Sequence, residues 1–239
     1  MAGALQPVAD LAAERTGVSA GMRVLDVGAG NGNAAHAALR AGASDVVAAE
    51  PEPRLLAAGR ERLPDVEWVD APASELPFDD ASFDVVLSIF GAIFDPDHER
   101  TAAELARVIR PGGTVAMTAW LPEGPMAEVG ARLATGAPAP PPGAGRPPAW
   151  SSEEYLQERL GAHGLTLKVT RESLAFTGES LDAWMANEER YAAQWNAARE
   201  RLGDDWPALR EEVRAVLAAG NEEPERFGVT SRYLLALAR

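Results

Sequence analysis

A glycine-rich turn between a short apolar run and a helical pattern is the sequence feature that most constrains this fold. Residues 24–33 read Val-Leu-Asp-Val-Gly-Ala-Gly-Asn-Gly-Asn, and the first four predict a short buried strand. An alanine-rich helical pattern begins near Asn33. Because glycine has no Cβ, backbone amides in such a turn and at the start of the helix can approach a ligand closely. The stretch therefore predicts a cofactor-binding loop.

The spacing of these glycines argues against one class of cofactor. The dinucleotide-binding pattern Gly-x-Gly-x-x-Gly, counted from Gly28, requires its third glycine at position 33. This chain has Asn33 there and its third glycine at Gly32. Among the functions that such a loop allows, an enzyme that uses a nicotinamide or a nucleotide sugar on a related sheet is therefore the least favoured.

The amino-acid composition limits the classes of partner that this chain is expected to bind. The chain has 239 residues with 36 acidic and 22 basic side chains, a formal net charge of −14 that disfavours nucleic acids and anionic membrane surfaces. It has no run of eighteen apolar residues and no signal-peptide pattern at its start. It also has no cysteine, and no cluster of His, Asp and Glu has metal-ligand spacing. We expect a cytoplasmic protein with a small-molecule partner and no metal.

Five short apolar segments alternate with helical patterns over the first half of the chain. They predict strands at 22–27, 45–49, 66–69, 83–88 and 114–118. This alternation predicts a parallel sheet covered by helices on both faces, with right-handed crossovers. Ligands of such sheets bind beyond the carboxyl ends of the strands. The residues expected to converge at that edge are Asp26, Glu50, Asp70 and Ser88.

The second half is less regular. Residues 136–148 hold six prolines and three glycines, which predicts an irregular connection. Ser151 and Glu154 are then spaced as a capping box for a helix that runs to about 160. A strand follows at 165–176, then a helical pair at about 179–222 and a closing strand at 229–238. We interpret the helical pair as a lid on a single domain of residues 1–239, with a core of about 1–120, 150–178 and 228–239.

Residues 22–118 resemble the cofactor-binding half of class I methyltransferases that depend on S-adenosylmethionine (SAM), particularly the enzymes acting on small molecules. The resemblance implies a Rossmann-like α/β fold, with a doubly wound, mostly parallel seven-stranded sheet and a helical lid inserted before the last strand. It also implies SAM as cofactor and S-adenosylhomocysteine (SAH) as product. Five segments in family order carry it, namely Val-Leu-Asp-Val-Gly-Ala-Gly at 24–30, Glu50, Asp70-Ala71, Phe-Asp-Val-Val-Leu-Ser at 83–88, and Leu-Ala-Arg-Val-Ile-Arg-Pro-Gly-Gly at 105–113.

The same resemblance implies roles for individual residues. The backbone at 28–30 would pass the methionine part of SAM, and Asp26 would brace that loop and help to hold the amino group. Glu50 would accept hydrogen bonds from both ribose hydroxyls. Asp70 would meet the adenine amino group beside the Ala71 amide, and residues 88–89 would lie near the reactive methyl. The cofactor-binding residues implied are Asp26, Gly28, Ala29, Gly30, Glu50, Pro51, Asp70, Ala71, Ser88 and Ile89.

Methyl transfer from a sulfonium needs in-line positioning and exclusion of water, and a general base only where the acceptor is a poor nucleophile. His98, just beyond the fourth predicted strand, is the best candidate base. Its alternative role is a helix-start residue with Asp97 as cap. Of the other histidines, His36 is expected to be structural and His163 to face solvent.

The sequence says less about the site that would bind the methyl acceptor than about the cofactor site. Trp184, Tyr191 and Trp195 have helical spacing and form either the core of the lid or an acceptor pocket. Glu188 shares their face and is expected to be a solvated carboxylate on the rim, with contact to a polar acceptor as the alternative. Many methyltransferases of this class carry a further helical segment before the first helix, and here Leu5 nearly begins the chain. The acceptor site is then open, or closed by residues 181–220, or closed by a second subunit in a homodimer.

The function that follows is transfer of the SAM methyl group to an oxygen, nitrogen or carbon atom of a small organic metabolite by in-line displacement. The alternative is a SAM-binding protein of the same fold that does not transfer methyl, either catalysing another small-molecule reaction or serving as a binding module.

Overall fold

One mixed β-sheet organises the computed structural model, which describes residues 3–139, 141 and 143–239. Across the described residues the strand order is β3-β2-β1-β4-β5-β7-β6. The strands are β1 (Arg23–Val27), β2 (Asp45–Ala49), β3 (Glu67–Val69), β4 (Phe83–Ile89), β5 (Ile109–Trp120), β6 (Leu167–Gly178) and β7 (Phe227–Ala238).

The first five strands are parallel. β1 pairs with β2 on one side and β4 on the other, so that Leu25 lies opposite both Val47 and Val86. β3 extends the sheet beyond β2, and β5 extends it beyond β4. Thr166 and Arg239, next to the ends of β6 and β7, exchange both backbone hydrogen bonds, which is the antiparallel pattern. The predicted doubly wound, mostly parallel seven-stranded sheet is confirmed.

Helices lie in every connection between successive strands of the described residues except the one from β3 to β4. The crossovers from β1 to β2, from β2 to β3 and from β4 to β5 each contain a helix, which is the predicted βαβ pattern. The helices are α1 (Gln6–Thr16), α2 (Asn33–Arg40), α3 (Pro53–Arg62), α4 (His98–Val108), α5 (Gly124–Leu133), α6 (Glu153–Gly161), α7 (Leu181–Tyr191), α8 (Ala193–Leu202) and α9 (Trp206–Ala219).

The central strands β1 and β4 are buried except for the half-buried end residues Arg23 and Ile89, as expected for parallel strands covered on both faces. Their apolar side chains form the core, and Leu25, Val86 and Leu87 have no exposed surface. Polar side chains are exceptions in such strands and require hydrogen-bond partners. Two of these exceptions, Asp26 and Ser88, belong to the candidate site.

The cap of α6 corrects one prediction. Ser152, not Ser151, is the N-cap, because the Tyr155 amide donates to Ser152 Oγ over 3.2 Å. Residues Pro147–Ser151 form a short 3₁₀ turn, in which the Ser151 hydroxyl instead donates to the Pro148 carbonyl over 2.6 Å. The helix therefore begins one residue later than the capping box predicts, and Glu154 is its second residue.

The start of β5 differs as well. The strand begins at Ile109 opposite Phe83, before the Pro-Gly-Gly sequence that was predicted to precede it. A register shift between Phe83 and Val85 accommodates residues 110–113 as a bulge, and Gly112 has a φ of +81°. Such extra residues kink a strand without ending it.

The segment inserted before the last strand contains three helices, α7, α8 and α9, where a pair was predicted. Ala192 is extended and separates α7 from α8, although the apolar spacing continues across it. Helix α5 was not predicted. The described part of the predicted irregular connection at 136–148 contains neither helix nor strand before the 3₁₀ turn, while residues 140 and 142 lie outside the described residues.

Two compact units divide the chain. Among the described residues, the larger comprises 3–119, 143–172 and 234–239, and the smaller comprises 120–139, 141 and 173–233. The single domain of 1–239 with a lid at 179–222 stays a prediction. No helix in the described part of the chain is long and apolar enough to cross a bilayer.

Aromatic side chains form the core of the smaller unit. The Trp184 ring lies 5.0 Å from Phe227 and 6.2 Å from Trp195, centroid to centroid, in tilted and edge-to-face contacts. Trp184 and Trp195 are thus buried core side chains, which is one of the two roles predicted for them, whereas Tyr191 is 62% exposed. Glu188 is only 7% exposed, so its prediction as a solvated carboxylate is wrong. Burial raises the pKa of its carboxyl group.

We expect Ser152→Ala to lower the free energy of unfolding by about 1 kcal/mol, because it removes the side-chain acceptor at the α6 N-terminus. Urea denaturation of both single variants provides the measurement, with Ser151→Ala as the matched control. An unchanged free energy of unfolding in Ser152→Ala would contradict the observed cap.

Candidate cofactor site

The candidate site lies at the carboxyl ends of β1, β2 and β4. The chain runs from β1 to β2 and β3 on one side, and then crosses back from β3 to β4 on the other side of β1, so the sheet has its switch point there. The loop after β1 turns through three glycines with left-handed φ, namely Gly28 at +63°, Gly30 at +59° and Gly32 at +88°. Non-glycine residues adopt this conformation at a cost of about 1 kcal/mol or more.

The space beside each glycine differs. A Cβ on Gly32 would lie 2.8 Å from the Leu63 side chain and 3.1 Å from the Trp68 ring. One on Gly28 would lie 2.6 Å from the Gly91 Cα atom. A Cβ on Gly30, in contrast, would meet no protein atom within 4 Å. Gly30 is thus the point at which the loop backbone faces open space, where a ligand could approach it.

Glu50 connects this loop to the end of β2. Its Oε2 atom accepts a hydrogen bond from the Gly30 amide over 2.7 Å, and its Oε1 atom accepts one from the Glu52 amide over 2.9 Å. The residue is 5% exposed, and the Ala29 amide adds a bond to the Ala49 carbonyl over 3.1 Å. Because an ionised carboxylate has about four acceptor positions, Glu50 retains positions for two further donors.

Asp26 holds the start of α2. The residue is 1% exposed, and its Oδ2 atom accepts from the Ala35 amide over 2.8 Å. Burial raises its pKa from 3.8 to about 7, and the nearby Glu50 carboxylate adds to the rise, while backbone amides and Arg62 oppose it. Asp26 is therefore tied to the helix that follows the loop, and its role in bracing the loop for a cofactor stays a prediction.

The remaining predicted cofactor residues lie at strand ends or just beyond them. Asp70 is exposed, while Ala71 beside it is buried. Pro51 is exposed and Ile89 is half-buried. Ser88 is completely buried. Its Oγ atom donates to the Val27 carbonyl and accepts from the Ala92 amide, each over 2.9 Å.

His98 is the first residue of α4, and Asp97 caps the helix by accepting from the Arg100 amide over 3.0 Å. The His98 ring is buried. Its Nδ1 atom lies 2.8 Å from the Tyr155 hydroxyl, and its centroid lies 4.8 Å from that of Trp150. Burial lowers its pKa, and Arg159 lowers it further. The residue thus packs α4 against α6 and the 3₁₀ turn, and its role as a general base stays a prediction.

The other two histidines are placed as expected. His36 Nδ1 lies 3.2 Å from the Gln6 side-chain oxygen, on the helix after the glycine loop. His163 is exposed. In the described part of the chain, no group of three or more His, Cys, Asp and Glu side chains could hold a metal ion.

Two contributors to the site were not predicted. Arg62, at the end of α3, donates to the Asn31 carbonyl over 3.1 Å and to Asn33 Oδ1 over 2.8 Å, and so clamps the glycine loop from outside. Gly91 contacts Gly28 from the loop after β4. Neither position carries a local sequence signal, because its partner is 29 or more residues away.

Comparisons with known proteins match this region. Residues 24–113 match the family described as a methyltransferase domain. The uncharacterized protein Rv1403c of Mycobacterium tuberculosis is 37% identical over 174 residues, which cover 71% of this chain. The chain spans 63% of the length of that relative. The ubiquinone/menaquinone biosynthesis C-methyltransferase UbiE of Idiomarina loihiensis is 40% identical over 108 residues, or 42% of this chain and 43% of that protein.

The fold has a similar counterpart among solved structures. The YcgJ protein of Bacillus subtilis matches with a TM-score of 0.66 at 21% sequence identity, over 96% of both chains. At this identity the likeness concerns the fold. The family match, in contrast, includes the glycine loop, Glu50, Asp70 and Ser88.

The raised pKa of Asp26 predicts a pH dependence of stability. Between about pH 4 and about pH 7 the folded chain retains a proton that the unfolded chain releases, so the free energy of unfolding falls as pH rises through this window. Asp26→Asn should flatten that decline in urea denaturation across the window. Asp65→Asn, at an exposed turn before β3, is the matched control, and an equal slope in both variants would contradict the assignment.

Proposed function

We propose, on the premise that this chain carries a class I SAM-dependent methyltransferase domain, that it transfers the SAM methyl group to an oxygen, nitrogen or carbon atom of a small organic molecule. The observation that carries the proposal is the pairing of Gly30 with Glu50. The open side of Gly30 leaves room for a ligand against the backbone, and the carboxylate that bonds its amide keeps two acceptor positions.

The residues present fit this cofactor. Glu50 would accept from the ribose hydroxyls, and the backbone at 28–30 would receive the methionine part. Asp70, exposed at the end of β3, would accept from the adenine amino group, and the Ala71 amide would face a ring nitrogen. Bound SAM supplies a methyl group on a sulfonium. When the methyl group is transferred to the acceptor, the sulfur is left as the neutral thioether of SAH.

The charges at the loop support a cationic cofactor. Asp26 and Glu50 place two buried carboxyl groups at its base, close enough that Glu50 raises the pKa of Asp26. A positive charge nearby would favour the ionised form of Asp26, which burial opposes. We therefore infer that the loop favours the sulfonium and ammonium charges of SAM over neutral ligands of similar shape.

The acceptor is a small organic molecule in this proposal, and the net charge of −14 disfavours nucleic acids as an alternative. The likeness to UbiE covers 42% of this chain and supports the cofactor more strongly than the acceptor. A quinol ring carbon is nevertheless one acceptor to include in a screen, beside hydroxyl and amine acceptors. His98 would act as the base for a hydroxyl acceptor, and its lowered pKa keeps the imidazole in the neutral form that a base requires.

The proposal is tested by isothermal titration calorimetry with SAM and SAH, followed by a screen for SAH release over small acceptors. Heat of binding with both compounds and turnover on at least one acceptor would support it. Tight SAM binding with no turnover on any acceptor would favour the alternative, a SAM-binding protein without methyl transfer. Thermal stabilisation by NAD, with none by SAH, would overturn the assignment of the cofactor.

We expect Glu50→Gln to weaken SAH binding roughly 10- to 100-fold. The glutamine side chain has only one acceptor oxygen, so it cannot accept hydrogen bonds from two ribose hydroxyls and from the Gly30 backbone N–H as the carboxylate does. Calorimetry gives the dissociation constant. Glu67→Gln is the matched control, since Glu67 is exposed on the neighbouring strand β3. Equal affinity in Glu50→Gln and the unchanged chain would remove Glu50 from the ribose site.

A further inference from the structure

The turn after β4 lies against the glycine loop, backbone to backbone. Gly91 has a φ of −98°, which other residues adopt readily, so its own conformation does not require glycine. A Cβ at this position would nevertheless lie 2.7 Å from the Gly28 Cα atom and 2.8 Å from the Gly28 carbonyl carbon. Contacts this short force atoms to move, and both partners here are backbone. Gly91 therefore sets how closely the two loops approach.

The Ser88 hydroxyl ties the same two loops together. Its bond to the Val27 carbonyl reaches the residue just before Gly28, and its bond to the Ala92 amide reaches the residue just after Gly91. The residue has no exposed surface, so water cannot replace either bond. The hydroxyl thus holds the chain on both sides of the glycine contact.

Phe90 fixes the shape of the turn. It adopts a left-handed φ of +54°, which is a strained conformation for a non-glycine residue. Its amide donates to Thr118 Oγ1 on β5 over 2.9 Å, and its side chain is 5% exposed. Burial and the hydrogen bond hold the strained residue in place, so the turn has one defined geometry against which the glycine loop rests.

We propose that residues 88–92 are a positioning element for the cofactor loop, with Gly91 and Ser88 as its positioning residues. The inference rests on the proposed cofactor site. The turn holds Gly28, and Gly28 is two residues from the Gly30 amide that bonds Glu50. A displacement of the turn would therefore move the cofactor-facing backbone away from the carboxylate. In this role Ser88 acts through the loop, without contact to the reactive methyl.

The first test substitutes Gly91 with alanine. Gly91→Ala should weaken SAH binding at least ten-fold in calorimetry, because its new Cβ displaces Gly28. Gly130→Ala is the matched control, since a Cβ at Gly130 on α5 meets nothing within 4 Å, and its affinity should equal that of the unchanged chain. Thermal unfolding of each variant identifies a temperature at which all are folded, and affinities are compared there.

The second test uses Ser88→Ala, which keeps the backbone free of new contacts and serves also if Gly91→Ala does not fold. A positioning residue should weaken SAM and SAH binding by the same factor, because the loop holds both. A residue that contacts the methyl would weaken SAM more than SAH, which lacks that methyl. Ser82→Ala is the matched control and should change neither affinity, because the half-buried Ser82 hydroxyl donates to the Asp79 carbonyl in the turn before β4.

The outcomes separate this inference from the proposed function. If the unchanged chain binds neither compound, the cofactor site and the positioning element both fall. If it binds SAH and folded Gly91→Ala or Ser88→Ala binds equally well, the positioning role alone is overturned. A change in the ratio of SAM to SAH affinity in Ser88→Ala would likewise overturn it, in favour of contact with the methyl.

Discussion

Parallel pairing of β1 with both β2 and β4 is the constraint on which the candidate site depends. It brings three carboxyl strand ends to one edge of the sheet, with the glycine loop in the middle. Asp26 and Glu50 reach the loop from adjacent strands, and Ser88 reaches it from the third. A shift of one residue in either pairing would turn alternate side chains to the opposite face of the sheet and remove these contacts.

The site concentrates polar groups where burial would otherwise penalise them. Three of these groups, on Asp26, Glu50 and Ser88, belong to residues that are 5% exposed or less. Each accepts a hydrogen bond from at least one backbone N–H. Buried polar groups with partners stabilise one arrangement of a loop, because every alternative leaves a donor or acceptor unpaired. This supports a loop shaped before a ligand arrives, with the ligand completing the remaining positions on Glu50.

Individual residues show where sequence reasoning succeeded and where it could not. The predicted strand at 45–49 has the same first and last residues as the observed strand Asp45–Ala49, because an apolar run between polar residues is a local signal. The α6 cap was placed one residue early, because both serines are chemically suitable and the preceding 3₁₀ turn decides between them. Glu188 was expected in solvent, yet the packing of its helix buries it. Its spacing alone did not distinguish a core position from a rim.

The sequence by itself determined the alternation of strands and helices, the left-handed turn that requires glycines, and the acidic residues at strand ends. These follow from hydrophobic periodicity and backbone sterics over a few residues. The tertiary structure alone decided that Ser88 bonds Val27 across 61 residues, that Gly28 rests on Gly91, and that His98 packs against Tyr155 across 57. Such contacts depend on strand register and helix packing, which bring together residues that no local pattern relates.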